Sequence, residues 1–242
     1  MSDSNKIIQG LWVDGQLKKL QRLCIKSFID NGHDFHLYTY NMDINAPAGT
    51  VVKDAGAIIP EKNVFLDGRG SLGAFSDWFR YRLLYETGGW WADVDMLCLK
   101  PFDFEDDYVF SSENGKNFVQ ETNVGVIKVP PKSDIMAYCL QYISKINLSD
   151  RIEWNSIGCC VVNSFIEKNR EYNLYVQKPH IFCPIPYYYY SLMYNNVLID
   201  LSEKSYGVHL WNEMLRGNNI DADSQFHKNS LYERLKNRCL FV

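Results

Sequence analysis

Residues 72–102 read LGAFSDWFRYRLLYETGGWWADVDMLCLKPF and carry the strongest structural signal in the chain. Apolar residues recur there at steps of three and four, a pattern that predicts an amphipathic helix over residues 72–87. At about 100° per residue, Ser76, Asp77 and Arg80 fall within one narrow arc beside the apolar stripe. The sequence therefore predicts that a carboxylate and a guanidinium project together from the first half of this helix.

A glycine pair and a short apolar run follow the helix. Gly88 and Gly89 predict its end, because glycine adopts the left-handed conformation after a helix without steric cost. The apolar residues 90–92 are typical of a buried strand, which ends at Asp93 and Asp95. Alternate side chains of an extended chain point to the same side, so we expect the two carboxylates about 6 to 7 Å apart. Such a pair favours Mg²⁺ or Mn²⁺, which commonly keep positions open for water and substrate phosphates.

The chain contains a second Asp-x-Asp pattern, so the pattern alone does not define a site. Asp221 and Asp223 lie among asparagines, where a solvated turn is the favoured interpretation. Asp93 and Asp95 instead end an apolar strand and follow a helix that carries its own Asp and Arg. We therefore predict a functional site at the first pair, with a solvated strand end as the structural alternative.

Composition restricts the class of protein. A chain of 242 residues with 46% hydrophobic and 14% aromatic content can bury one sizeable core, so we expect one domain over residues 1–242. The net charge of −4 and the lack of a basic stripe argue against nucleic acid as a partner.

The cysteines and the lengths of the apolar runs indicate the cellular compartment of the protein. The seven cysteines are odd in number and form no Cys-x-x-Cys, which favours reduced thiols in a cytoplasm over disulfides or a zinc site. The amino terminus is polar and no run approaches about 18 apolar residues, so we expect neither a signal peptide nor a transmembrane segment. Peripheral contact with a membrane remains compatible with this composition.

The order of the other elements predicts an α/β fold. A strand over residues 6–13, a helix that ends at Asn31-Gly32 and a strand over residues 35–40 form a strand-helix-strand unit, which is typical of a parallel sheet. Ligands of such sheets gather at the carboxyl ends of the strands. Further strands are predicted at 51–52, 96–99, 108–111, 124–129, 180–182 and 206–210, further helices at 133–146, 159–169 and 231–238, and a mobile loop at 60–71.

A family resemblance rests on the pattern Ser76-Asp77-x-x-Arg80-Tyr81-x-x-Leu84-Tyr85-x-x-Gly88-Gly89-x-Trp91-x-Asp93-x-Asp95. The pattern resembles the DXD sugar-binding region of glycosyltransferase family 32 and its relatives. These relatives include α-1,6-mannosyltransferases, α-1,4-galactosyltransferases and the catalytic domains of clostridial glucosylating toxins. The strand that reaches Trp12 resembles the family's opening, and His209-Leu210-Trp211 resembles its carboxyl-terminal His-x-Trp. Gln9 and Trp91 depart from the commoner His and Tyr of the family.

The resemblance implies a GT-A fold, a Rossmann-like α/β domain with a mixed, mostly parallel sheet and helices on both faces. It also implies a nucleotide-diphosphate sugar donor, with UDP-sugar slightly preferred over GDP-sugar, and Mn²⁺ or Mg²⁺ as cofactor. It favours transfer with retention. The expected cytoplasmic location and the size of the chain favour a glycan or lipid-linked glycan acceptor in polysaccharide biosynthesis. A metal that bridges the diphosphate would act as a Lewis acid and neutralise the leaving-group charge.

By the same resemblance, each site residue receives an expected role. Asp95, Asp93 and His209 are expected to bind the metal, and Asp93, Asp95 and Arg80 to act in catalysis. The expected donor-binding residues are Trp12, Ser76, Asp77, Arg80, Tyr81, Asp93 and Trp211.

Each role has a structural or chemical alternative. Arg80 and Asp77 can form a surface ion pair worth only about 0.3 to 0.5 kcal/mol. His209 can be a hydrogen-bonded core histidine, and Trp12 and Trp211 can be core residues. An Asp-x-Asp also supplies the nucleophile and acid of HAD-type phosphatases, and a silent carbohydrate-binding protein can keep the fold.

The sequence does not decide which residues line an acceptor groove or which carboxylate would act as a general base. At most two of the four consecutive tyrosines, residues 187–190, can line an acceptor groove, because four consecutive side chains cannot share one face. No carboxylate is singled out as the general base of an inverting transferase, although Glu121, Asp200, Asp221 and Asp223 are available.

Overall fold

The computed structural model describes residues 2–148 and 150–240, and a six-stranded sheet lies at its centre. The strands are β1 Ile7–Leu11, β2 Asp34–Thr39, β3 Val51–Asp54, β4 Gly89–Ala92, β5 Met96–Cys98, β6 Val109–Asn114, β7 Gln120–Val129 and β8 Gly207–His209. The α-helices are α1 Lys19–Asp30, α2 Gly73–Thr87, α3 Asp134–Ile143, α4 Cys159–Lys168, α5 Asn212–Gly217 and α6 Leu231–Leu240.

The main sheet has the order β3-β2-β1-β4-β7-β6. Strands β3, β2, β1 and β4 run parallel, whereas β7 pairs antiparallel with both β4 and β6. A second, two-stranded antiparallel sheet joins β5 to β8. The mixed, mostly parallel sheet with flanking helices confirms the predicted fold class.

Apolar clusters cover both faces of the main sheet. One contains inward side chains of α1 and α6, and the other contains those of α2, α3 and α4. Trp90 belongs to the first cluster and Trp91 to the second, because neighbouring side chains of a strand point to opposite faces. The predicted apolar run therefore anchors β4 from both sides, just before the two aspartates.

Gly88 ends α2 as the sequence predicts. Its φ is +61°, and its N–H donates to the Leu84 carbonyl at 2.9 Å. A Cβ at this position would lie 2.4 Å from the backbone nitrogen of Pro131. Both the backbone conformation and the approach of the next segment therefore require glycine.

Two predictions for the last third of the chain need correction. Residues 180–182 are not a strand, because Pro179 begins a 3₁₀ turn over Pro179–Ile181 in which the N–H of Ile181 donates to Lys178. Helix α5 was not predicted, and it begins directly after Trp211, whose φ is +52°. Throughout the described residues, no helix is long and apolar enough to cross a membrane.

Candidate active site

The two aspartates lie in a turn and not in an extended strand. The N–H of Met96 donates to the carbonyl of Asp93 at 2.8 Å, which closes a four-residue turn over residues 93–96. The extended spacing expected from the sequence is therefore wrong. The turn exists because the chain leaves the main sheet at Ala92 and enters the small sheet at Met96.

The turn and strand β8 place three potential metal ligands together. Asp93, Asp95 and His209 each offer one ligand atom, and these atoms lie within 4.8 Å of one another. Antiparallel pairing places His209 opposite Met96, and the N–H of Leu210 donates to the Asp95 carbonyl at 2.9 Å. The small sheet thus brings together residues that are more than a hundred positions apart.

Contacts with Asp95, Cys183 and Trp211 hold the imidazole of His209 in place. Its Nε2 lies 3.2 Å from Asp95 Oδ1, and its Nδ1 lies 4.0 Å from the Cys183 sulfur. The ring stacks on Trp211 with centroids 3.9 Å apart and planes 23° from parallel. A side chain at Gly125 would lie 3.0 Å from the His209 ring, so the bare backbone there leaves room for it.

Burial and mutual charge interactions shift the pKa values of His209 and Asp95. Burial opposes protonation of His209, but the charge and hydrogen bond of Asp95 outweigh it and hold the pKa of His209 well above its usual value. Burial also opposes ionisation of Asp95, yet His209 and the N–H of Asn212, 2.8 Å from Asp95 Oδ2, keep its pKa below the usual value. Without a cation, the two side chains therefore form an ion pair.

Arg80 joins helix α2 to the aspartate turn. Its guanidinium donates to Asp93 Oδ1 at 2.9 Å, to Ser76 Oγ at 3.3 Å and to the carbonyl of Val124. The same group lies 3.4 Å from Asp77 Oδ1. Arg80 is only 3% exposed. The surface ion pair considered from the sequence is therefore wrong, because the guanidinium is buried between two carboxylates.

Asp93 and Asp77 occupy different surroundings on the two sides of Arg80. Asp93 Oδ1 also accepts a hydrogen bond of 2.8 Å from the indole of Trp91, which fixes the carboxylate. Asp77 is 9% exposed. Burial raises the pKa of Asp77 to about 7, although the charge of Arg80 opposes this change. A carboxyl group whose pKa is close to neutral pH therefore lies beside the guanidinium.

The structure places the remaining predicted donor residues in packed positions. Tyr81 is fully buried, and its hydroxyl donates to the carbonyl of Gly158 at 3.0 Å. The indole of Trp211 donates to the carbonyl of Ile185 at 2.8 Å. Trp12 is half-buried, and its indole nitrogen has no hydrogen-bond partner within the described part of the chain. Their roles toward a donor stay predictions.

The second Asp-x-Asp pair has a structural role at the amino end of α1. Asp223 Oδ1 accepts a hydrogen bond of 2.6 Å from the N–H of Lys19, and Asp221 Oδ1 lies 3.2 Å from the Lys18 ammonium. This surface turn agrees with the interpretation made from the sequence.

Two acidic residues of the site region were not predicted. Asp67 is 6% exposed and its Oδ1 accepts the N–H groups of Arg69 and Ser71, while its Oδ2 has no partner among the described residues. Glu113 lies on β6, where its charge acts on His209. Neither residue belongs to a local motif, because only tertiary contacts bring them to this region.

Comparison with protein families gives two matches that do not overlap. The model described as a glycosyltransferase sugar-binding region containing a DXD motif matches residues 21–116, which include Arg80, Asp93 and Asp95. The model described as an alpha 1,4-glycosyltransferase conserved region matches residues 153–242, which include His209 and Trp211. The chain is a DXD-motif glycosyltransferase. This agrees with the resemblance to family 32 and leaves the phosphatase hypothesis without support.

Solved structures similar to this glycosyltransferase are distant. The PaToxG glycosyltransferase is 13% identical with a TM-score of 0.47, over 97% of this chain and 87% of that chain. The apo-form glycosyltransferase GlyE of Streptococcus pneumoniae is 12% identical with a TM-score of 0.46, over 98% and 63%. The UDP-bound glycosyltransferase domain of the YGT toxin is 9% identical with a TM-score of 0.44, over 95% and 81%. No curated protein sequence matches, so the assignment rests on the two family models.

Proposed function

We propose that this chain transfers a hexosyl group from a nucleoside-diphosphate sugar to a hydroxyl group of a glycan or lipid-linked glycan, and that the reaction requires a divalent cation. The observation that supports this function is the convergence of Asp93, Asp95 and His209 within 4.8 Å, next to the buried guanidinium of Arg80. A sugar diphosphate needs both features, because its leaving group carries negative charge that must be neutralised.

The ligand set fits manganese. Two carboxylates suit hard cations such as Mg²⁺ and Mn²⁺, and an imidazole ligand favours the transition metal of the two. When bound, the cation supplies Lewis-acid stabilisation of the departing diphosphate. His209 must give up its proton to become a ligand, so we expect cation affinity to rise with pH.

The aspartate turn provides the ligands of the cation, and helix α2 provides residues that bind the donor. Arg80 and the indole of Trp91 hold Asp93 through the same oxygen, Oδ1, which leaves Oδ2 for the cation, directly or through water. Asp95 is the firmer ligand because His209 and the N–H of Asn212 orient both of its oxygens. Ser76 and Asp77 bind hydroxyl groups of the donor sugar, and the buried Arg80 carries positive charge toward the donor.

The aromatic residues contribute to the nucleotide side of the proposed site. We expect Trp12 to line the pocket of the base, Tyr81 to support Asp77 from below, and Trp211 to keep His209 in place beside the phosphates. UDP is the first donor nucleotide to test, on the family resemblance. Retention, a single domain over residues 1–242, a role in polysaccharide biosynthesis and a cytoplasmic location also stay proposals.

A donor screen tests the proposed function. The purified chain is incubated with UDP- and GDP-hexoses, with Mn²⁺ or with EDTA, and the released nucleoside diphosphate is measured. We expect release from at least one UDP-hexose with Mn²⁺ and at least a tenfold lower rate with EDTA. Equal rates with Mn²⁺ and with EDTA contradict the metal requirement, and no release from any donor contradicts the proposed transfer.

A further inference from the structure

Strands β6 and β7 extend a polar surface away from the metal-ligand cluster. Gly125 lies under His209, and the next two residues of β7 on the same face are Asn123 and Glu121. Glu113 on β6 lies directly opposite Glu121 in the antiparallel register. Like charges opposite each other destabilise a sheet, so stability does not account for this pair.

Glu113 has one satisfied and one unsatisfied carboxylate oxygen. Oε1 accepts a hydrogen bond of 2.8 Å from the amide of Asn123. Oε2 is buried, and none of the described residues donates a hydrogen bond to it. A buried acceptor without a donor costs about 1 to 3 kcal/mol, more when it is charged. This oxygen is therefore suited to a donor group that the protein chain does not supply.

The position of Glu113 connects it to the ligand cluster through Asn123. The amide of Asn123 donates to Glu113 Oε1 at 2.8 Å, and Asn123 Oδ1 accepts the N–H of Gly125 at 2.7 Å. A Cβ at Gly125 would lie 3.0 Å from the His209 ring. Glu113 on β6 is therefore one side chain away from the backbone that lies under His209.

A row of aromatic rings continues from the cluster beside Glu113. Trp211 stacks on His209, the ring of Tyr187 lies 6.2 Å from that of Trp211, and Tyr188 follows at 5.4 Å from Tyr187. The hydroxyl of Tyr188 donates to the carbonyl of Gly115 at 3.2 Å, which fixes this row over the β6–β7 hairpin. The charge of Glu113 raises the pKa of Tyr187 in addition to burial.

We propose that Glu113 binds a hydroxyl group of the acceptor through Oε2, and that Tyr187 and Tyr188 support the ring of an acceptor sugar. This inference rests on the proposed function and deepens it, because it names the residues that hold the glycan acceptor. Sugar hydroxyls are strong donors to a carboxylate, and the apolar faces of sugar rings pack on aromatic side chains. Glu113 positions the acceptor next to the metal-ligand cluster, and it binds neither the cation nor the donor.

The test separates transfer to a sugar from transfer to water. The donor is the UDP-hexose that the wild-type chain hydrolyses fastest with Mn²⁺, and the acceptor probes are methyl glycosides of glucose, galactose and N-acetylglucosamine. The variant Glu113→Gln keeps the acceptor oxygen for Asn123 and replaces the free oxygen by an amide. The matched control is Glu121→Gln, the exposed residue opposite Glu113.

We expect Glu113→Gln to raise the KM of the best methyl glycoside at least tenfold, while donor hydrolysis and the Kd of UDP with Mn²⁺ stay within twofold of the wild type. We expect Glu121→Gln to change each value less than threefold. An unchanged KM in Glu113→Gln overturns the inference. Equal losses of hydrolysis, UDP affinity and transfer in a folded variant also overturn it, because they place Glu113 in the donor site.

The same assays keep the two proposals apart. A wild-type chain that binds no UDP with Mn²⁺ and releases none from any UDP-hexose contradicts the proposed function and the acceptor site together. Donor hydrolysis in the wild type with no transfer to any of the glycosides overturns the acceptor site and the glycan acceptor, and it leaves the donor and the cation of the proposed function in place. Tyr188→Ala is the second variant, and we expect it to raise the KM of the glycoside and to spare hydrolysis.

Discussion

At the level of single residues, Arg80 is unusual because its charged side chain is buried. Its guanidinium lies between Asp77 and Asp93, and only 4% of its side chain is exposed. Its Nε has no hydrogen-bond partner in the described ranges, 2–148 and 150–240. Removing the side chain would take the guanidinium away from the buried Asp77 and the half-buried Asp93, so an alanine variant would lose stability as well as function. A conservative change is therefore more informative.

Arg80→Lys keeps the charge and loses the planar fork that contacts Asp93 and Ser76 together. We expect donor hydrolysis to fall at least tenfold, because hydrogen bonds to charged groups contribute about 1.5 to 3 kcal/mol each. The control is Arg82→Lys, since Arg82 pairs with Glu86 on the exposed side of the same helix. Steady-state rates and calorimetric titration of UDP measure the effect, and unchanged values for both remove Arg80 from the site.

Asp77 predicts a pH dependence of stability. Burial raises its pKa from 3.8 to about 7, so the folded protein holds the proton more tightly than the unfolded chain does. The stabilisation is complete below about pH 4 and is lost as the pH rises through about 7, and it is on the order of 4 kcal/mol. We expect Asp77→Asn to gain stability relative to the wild type between pH 4.5 and pH 8 in urea unfolding. A difference that is the same at both pH values contradicts this.

Asp95→Asn tests the ligand cluster by turnover. The change removes one charge and one ligand oxygen at once, so we expect hydrolysis and transfer to fall far more than tenfold at saturating Mn²⁺. Asp221→Asn changes the same residue type in the surface Asp-x-Asp pair and should leave turnover within twofold. A folded Asp95→Asn variant with more than a tenth of wild-type turnover has lost less than about 1.4 kcal/mol, which excludes a metal ligand.

At the level of elements, periodicity predicted α2 and β4 to within a residue or two, because a helix stripe and an apolar strand are local signals. The turn over residues 93–96 was missed for a physical reason. The strand rule assumes that the chain stays extended, whereas here the chain changes sheets between Ala92 and Met96. The 3₁₀ turn Pro179–Ile181 was missed because the apolar residues of this segment suggested a strand. The structure follows Pro179 instead, which begins the turn.

The end of α2 provides a test of the backbone geometry that positions β4. Gly88 has a φ of +61° and lies against Pro131, whereas Gly32 has a φ of +85° and nothing within 4 Å of an added Cβ. Both alanine variants incur backbone strain of about 1 to 3 kcal/mol, but only Gly88→Ala adds a backbone clash. We expect Gly88→Ala to be less stable than Gly32→Ala by at least about 2 kcal/mol in urea unfolding. Equal losses contradict the close approach of Pro131.

At the level of the whole molecule, two sheets meet at the site. The main sheet delivers Asp93 at the end of β4, and the small sheet delivers His209 at the end of β8. The sequence predicted the three ligands because each belongs to a recognisable pattern, Asp-x-Asp or His-x-Trp. It did not predict Glu113 or Asp67, since their importance depends on unsatisfied buried oxygens, which exist only after folding.

The cluster also explains why a cation should stabilise the whole chain. Before a cation binds, the protonated His209 balances Asp95, and Arg80 balances Asp93. A cation that replaces the proton of His209 keeps the charges compensated and joins the two sheets through three side chains. The affinities for the cation and for a nucleoside diphosphate should therefore be coupled.

Calorimetric titration of UDP into the wild-type chain, with Mn²⁺ and with EDTA, measures this coupling most directly. We expect UDP to bind at least tenfold more tightly with Mn²⁺, and we expect Asp95→Asn to abolish the difference while its circular dichroism spectrum stays unchanged. Equal affinity of the wild type for UDP with Mn²⁺ and with EDTA would contradict the assignment of Asp93, Asp95 and His209 as the cation site of a sugar-nucleotide transferase.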